Sequence, residues 1–240
     1  MLLGLLLTGC AFGDQPMDGP DMFRSYQQID QETAKQMMAQ DDGHLVVDVR
    51  RLDEYESGHI PGAICIPNES IDAEPPEELP NPNQILLLYC RSGNRSKQAA
   101  EKLFRMGYTR VYEFGGIVDW TGEVVTGQTL SLTVKSNPST GFSWTAAQEW
   151  ELFTIQSYYV SEPQEEPVSG AGGWQTFLLT PKQPGTAQVS FTYSRSWEPD
   201  GAGPQFSCTL AVSEELRITV LDDGSAAAAS RGYTPVVRIY

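Results

Sequence analysis

The sequence predicts two folded units in series: an α/β parallel sheet with helices on both faces over residues 24–125, then an all-β sandwich over 126–222. Three observations lead there. Up to about residue 125, short β-branched or apolar runs alternate with helix-like stretches, the order that builds a parallel sheet. Beyond it, apolar runs are separated by Gly, Pro, Ser and Asn turns with no helical stretch between them, which is sandwich patterning. A length of 240 residues with 40% hydrophobic content is enough for two domains of common size, each with its own core.

In the first unit "TAKQMMAQ" (33–40) reads as helix, "HLVVDV" (44–49) as a β-branched strand, and "AICIP" (63–67) and "QILLLY" (84–89) as two more strands. "KQAAEKLFRMG" (97–107) has apolar residues at Ala99, Leu103 and Met106 and a stop at Gly107, hence a helix, and "VYEF" (111–114) is a further strand. In the second unit the strands are "TLSLTV" (129–134), "FSWTAA" (142–147), "TFLLT" (176–180), "AQVSFTY" (187–193) and "SCTLAV" (207–212). Residues 223–240 carry an alanine run and read as a low-complexity tail.

The charge balance is 16 Lys+Arg against 31 Asp+Glu, a net charge of -15. It repels phosphate backbones and offers no basic stripe, so nucleic acid is excluded as a partner. Residues 1–10, "MLLGLLLTGC", are Leu-rich, too short to span a bilayer, and end in two small residues before a cysteine, as a processed export signal does. Leu7-Thr8-Gly9-Cys10 resembles a bacterial lipobox. That resemblance implies that Cys10 is lipidated, which would anchor the exported protein to the bacterial cell membrane, facing outside the cytoplasm. Residues 11–23, rich in Gly, Pro and Asp, read as a flexible tether.

The chemistry concentrates at "YCRSGNRS" (89–96). Cys90 falls where an apolar strand ends and a helix begins, at the carboxyl edge of the sheet where ligand crevices form. Unpaired N–H groups and the positive end of the helix dipole there favour a thiolate. Gly93 lets the backbone curl so that these donors point inward. Arg91, Arg95, Lys97, Lys102, Arg105 and Arg110 crowd the stretch that follows in an otherwise acidic chain. Such a cradle serves attack on a phosphate ester or on sulfane sulfur. Cysteine phosphatases carry Cys-x5-Arg, whose loop wraps a tetrahedral phosphate; the Cys-x4-Arg spacing from Cys90 to Arg95 fits a terminal sulfur atom instead. With only His44 and His59 and no closely spaced cysteine pair, neither a zinc site nor a hydrolase triad is expected, and no cofactor is. His59 reads as a structural turn residue. Cys65 and Cys208 read as free core thiols.

These residues resemble the single-domain rhodanese family of sulfurtransferases. "DVRRLDEYESGHIPGAICIP" (48–67) is similar to its first signature and "GGIVDW" (115–120) to its second. The resemblance implies a double displacement. Cys90 takes sulfur from a small anionic donor such as thiosulfate, stores it as a persulfide, and passes it to a thiol or cyanide-like acceptor. It also implies that the N–H groups of Arg91, Ser92, Gly93, Asn94, Arg95 and Ser96 hold the persulfide, that Arg91 and Arg95 attract the donor, and that Asp48 and Arg50 buttress the loop.

In the sandwich, "NPSTGF" (137–142), "GAGGW" (170–174) and "RSW" (195–197) fall between strands and can gather at one end. In this order they resemble the three loops of the chagasin family of cysteine-peptidase inhibitors, which implies an immunoglobulin-like fold and papain-like cysteine peptidases as partners. The inhibitory residues so implied are Asn137, Pro138, Ser139, Thr140, Gly141, Phe142, Gly170, Gly172, Gly173, Arg195 and Trp197. Two residues depart from the family pattern: Ser139 replaces a threonine, and Ser196 replaces a proline and loosens its loop. The rival reading is a surface peptidase inhibitor whose rhodanese unit is a sensor or docking unit.

Overall fold

The computed structural model describes residues 25–240 apart from 150, 163–169, 171, 198–202, 230 and 231. The export signal with Cys10 and the whole of the tether lie outside the described residues. The first unit runs β1 (Gln27–Gln28), α1 (Gln31–Met38), β2 (Leu45–Asp48), α2 (Leu52–Glu56), β3 (Ala63–Cys65), β4 (Leu86–Cys90), α3 (Asn94–Arg105) and β5 (Val111–Gly116). Its strands form one parallel sheet in the order β1-β5-β4-β2-β3. Helices cover both faces of this sheet, so β2 and β4 are buried along their whole length. That is why they read as unbroken apolar runs rather than alternating ones. Helix α1 begins where the Asp30 carboxylate accepts the Thr33 N–H at 2.7 Å. Helix α3 turns Ala99, Ala100 and Leu103 inward.

The second unit runs β6 (Leu130–Ser136), β7 (Phe142–Gln148), β8 (Phe153–Ser161), β9 (Gly173–Pro181), β10 (Gly185–Arg195), β11 (Gln205–Val212), β12 (Ile218–Asp222), α4 (Ser225–Ala229) and β13 (Val236–Ile239). Two antiparallel sheets, β12-β11-β10-β7 and β13-β6-β9-β8, make an immunoglobulin-like sandwich. Aromatic side chains fill the space between them, with Phe191 stacked on Phe206 at 4.9 Å and edge-on to Phe177 at 5.1 Å.

The stretch expected as a tail is structured. Its residues 236–239 pair with β6 as an edge strand, and Tyr240 is buried against the first unit's core. The apolar residues Val237 and Tyr233 pack on the sandwich core, which outweighs the disorder-like alanine run. Strands β8 and β12 and helix α2 also go beyond the sequence expectation.

The two units share a continuous seam. His59 and Val125 exchange two backbone hydrogen bonds, of 2.8 and 2.9 Å. Glu56, at the end of α2, accepts the Gly127 N–H with its carbonyl at 2.8 Å and pairs through its carboxylate with Arg217 at 3.2 Å. Further along, Arg238 pairs with Glu77 at 2.8 Å and the Asn81 amide donates to the Ser161 carbonyl at 3.2 Å. Among the described residues no helix is long and apolar enough to cross a membrane.

Candidate functional site

Cys90 is the last residue of β4, and α3 starts four residues later at Asn94. The backbone of Gly93 lies in the left-handed region (φ +95°), which brings its N–H back to the Cys90 Sγ at 3.1 Å. Ser96, in the first turn of α3, places its hydroxyl 3.5 Å from the same sulfur. Burial pushes the Cys90 thiol up, but the hydrogen-bond donors gathered around it, among them the N–H groups of Ser96, Ser92 and Gly93, outweigh it and bring the thiol below its ordinary value. The other described cysteines differ. Cys65 and Cys208 are free, buried and pushed up to about 12, above all by burial. One cysteine of the three is thus prepared as a nucleophile.

Asp48 and Arg50 form a buried bidentate pair, with contacts of 2.9 and 2.6 Å. Arg50 also donates to the Gly58 carbonyl at 2.6 Å, tying the end of β2 to the turn before β3. Arg95 is not free to wait for an anion: Glu54 of α2 takes two of its N–H groups at 2.7 and 2.8 Å. The Arg95 guanidinium in turn holds the Glu54 carboxyl at about 2. Among the described residues Arg91 makes no ion pair and stands exposed in the loop. The Gly-Gly pair of the second signature closes the site from behind: a Cβ on Gly116 would lie 2.3 Å from the Arg91 carbonyl oxygen, so only glycine permits this approach.

Two carboxylates were not singled out from the sequence. Glu54 sits inside the first signature, so that motif carried its signal. Glu113 of β5 is buried and accepts the Ser96 hydroxyl at 2.7 Å and the Gly115 N–H at 2.9 Å. Its one sequence signal is a charged residue within an apolar strand. Among the described residues no group of three or more His, Cys, Asp or Glu side chains is arranged to hold a metal ion.

The three loops of the sandwich meet at one end. The Asn137 side chain donates to the Gly170 carbonyl at 3.1 Å, joining the first loop to the second. Thr140 donates through its hydroxyl to the Asn137 carbonyl at 2.7 Å, closing a single 3-10 turn over Pro138–Thr140. Trp197 reaches back over Gly141, where a Cβ would lie 2.4 Å from the indole, so this glycine is required for the first and third loops to touch. The Arg195 guanidinium lies over the Phe142 ring at 4.5 Å. Trp197 remains 65% exposed.

Comparison with known proteins agrees with this division. A model of the rhodanese-like domain matches residues 30–123, and a model of the chagasin family peptidase inhibitor I42 matches residues 123–212. The chain is 38% identical over 73 residues to the thiosulfate sulfurtransferase PspE of Escherichia coli, covering 30% of this chain and 70% of the relative. It is 34% identical over 80 residues to chagasin of Trypanosoma cruzi, covering 31% of this chain and 71% of the relative. A solved rhodanese with anions from E. coli is 36% identical, with a TM-score of 0.33 over 35% of this chain and 99% of that one. A Bacillus subtilis relative, 35% identical over 41% of this chain, is spanned over about half its length, 53%.

Proposed function

Because the chain belongs to the rhodanese family through residues 30–123 and to the chagasin family through residues 123–212, we propose that it moves sulfane sulfur through a Cys90 persulfide and inhibits papain-like cysteine peptidases with its sandwich loops. The observation that carries the first activity is the Cys90 sulfur held at the end of β4 by the Gly93 N–H at 3.1 Å.

The reaction has two displacements. The Cys90 thiolate attacks the outer sulfur of a donor such as thiosulfate. A new S–S bond forms, the donor's own S–S bond breaks, and sulfite leaves with the electron pair. The negative charge now rests on the terminal sulfur of the persulfide, where the inward N–H groups of the loop stabilise it. A thiolate or cyanide then attacks that terminal sulfur, and Cys90 departs as the thiolate from which it began. Arg91 steers the anionic donor in, while the Glu54–Arg95 pair fixes the loop. Mass spectrometry of protein treated with thiosulfate tests this directly: one added sulfur on the peptide containing Cys90 is expected, and an unmodified peptide would overturn the reading.

The second activity rests on the joined loops. Trp197→Ala should weaken inhibition of a papain-type enzyme by about 2 kcal/mol, because an exposed indole buried on binding is a typical hot spot. A titration of the active enzyme gives the inhibition constant, and an unchanged value would remove Trp197 from the interface. The lipobox-like Leu7-Thr8-Gly9-Cys10 supports placing both activities outside the cytoplasm on a lipid anchor. Recovery of the wild-type chain with unmodified Cys10 in the cytosol would refute that placement.

A further inference from the structure

Ser96 has one hydroxyl hydrogen and four acceptors around it. The Glu113 carboxylate lies at 2.7 Å, the Gly93 carbonyl at 3.0 Å, the Gly115 carbonyl at 3.4 Å and the Cys90 sulfur at 3.5 Å. A hydroxyl donates one hydrogen only, and the nearest charged oxygen takes it. The carboxylate is held for this purpose. Glu113 stands on β5 in register with Leu88 of β4, is 2% exposed, and is pinned at the same oxygen, Oε1, by the Gly115 N–H at 2.9 Å. None of the side-chain hydrogen bonds or ion pairs described for this carboxylate comes from a cation.

We propose that Glu113 is a positioning residue for the nucleophile: it claims the Ser96 hydrogen, leaves the Cys90 sulfur to the backbone N–H groups alone, and so keeps the thiolate less stabilised and more reactive than the loop could make it. This rests on the reading of Cys90 as the sulfur-carrying residue. A thiolate that is bound too well is a poorer nucleophile, since nucleophilicity falls as the thiol's acidity rises. Withholding one donor from the resting thiolate therefore favours the first displacement. Glu113 acts through Ser96 and touches neither donor nor acceptor.

The test reads the thiol itself and does not depend on sulfur transfer. The ultraviolet absorbance of the thiolate is titrated against pH in wild type, Ser96→Ala, Glu113→Gln and the double variant, each corrected by its Cys90→Ser counterpart. In wild type, removing the Ser96 hydroxyl should leave the midpoint where it is, because its hydrogen is already committed. Glu113→Gln should lower the midpoint by about one pH unit, through loss of a buried like charge and release of the hydroxyl to the sulfur. Adding Ser96→Ala to Glu113→Gln should raise it again. A midpoint that rises in Ser96→Ala alone, or that does not fall in Glu113→Gln, overturns the proposal. The Ser96→Ala arm decides the matter by itself should the Glu113 variant fail to fold. A chain that shows the expected midpoints yet acquires no sulfur from thiosulfate would sink the proposed function, while the control of the Cys90 thiol by Glu113 through Ser96 would stand.

Discussion

Replacing Cys90 with serine is expected to lower sulfur transfer by about a thousandfold or more while leaving the fold intact, because it removes the atom on which both displacements occur. The two side chains are nearly the same size, and the serine oxygen can still accept the Gly93 N–H that the sulfur accepts at 3.1 Å. No cavity opens in the buried end of β4. The measurement is turnover of thiosulfate with cyanide, run beside a thermal unfolding curve. Substantial turnover in the variant would move the chemistry elsewhere. Loss of turnover together with loss of the unfolding transition would make Cys90 a packing residue. The same protein should show negligible hydrolysis of aryl phosphates, since four residues rather than five separate Cys90 from Arg95, and robust cysteine-dependent hydrolysis would reverse the reading of loop length.

The second large effect concerns acid stability and His59. This ring is fully buried, stacked on Tyr55 at 3.7 Å, with Nδ1 3.0 Å from the Tyr55 carbonyl and Nε2 3.3 Å from the Thr129 hydroxyl. Nδ1 therefore carries the proton and Nε2 accepts from Thr129, a neutral ring satisfied at both ends. Burial, and secondarily the charge of Arg50, depresses the imidazole from 6.5 to about 4, against the pull of the Tyr55 carbonyl. Since the folded value lies below the unfolded one, the unfolded chain binds the extra proton first. The stability due to this group is present above about pH 6.5 and is lost as pH falls towards 4, a loss of about 3 kcal/mol. His59→Gln should show a shallower fall of unfolding free energy across that window than wild type does, whatever its absolute stability. Equal slopes in the two proteins would show that His59 does not govern the seam.

The sequence was most informative where function is local. The nucleophile, its glycine and the start of its helix lie within eight consecutive residues, 89–96, so spacing alone pointed to them. What it left out comes from elsewhere in the fold. Glu54 reaches Arg95 across 41 positions and Glu113 reaches Ser96 across 17, and only the parallel packing of β4 against its neighbours brings them together. The strands absent from the sequence reading, β1, β8, β12 and β13, all lie at sheet edges. Edge strands bury less, so their apolar alternation is weak: β8 exposes Thr154, Ser157 and Gln156 beside its apolar positions. The alanine run at 226–229 read as low complexity, yet Ala228 is buried and the chain beyond it adds β13. Composition cannot anticipate a strand that forms only because a sheet edge is already waiting.

The seam sets the two working ends of the molecule apart. Its lower portion joins Glu56, at the end of α2, to Gly127 and Arg217, which precede β6 and β12. Its upper portion joins Asn81, which precedes β4, to Ser161, which leads into the loop end. Cys90 is the last residue of β4, whereas Asn81 comes before its first. On the proposed function, a peptidase seated on Asn137–Thr140 and Trp197 is expected to leave the sulfur site uncovered. The expected result is simultaneous occupancy: saturation with peptidase should not change the rate of persulfide formation, and a fall in that rate would show that the two sites overlap.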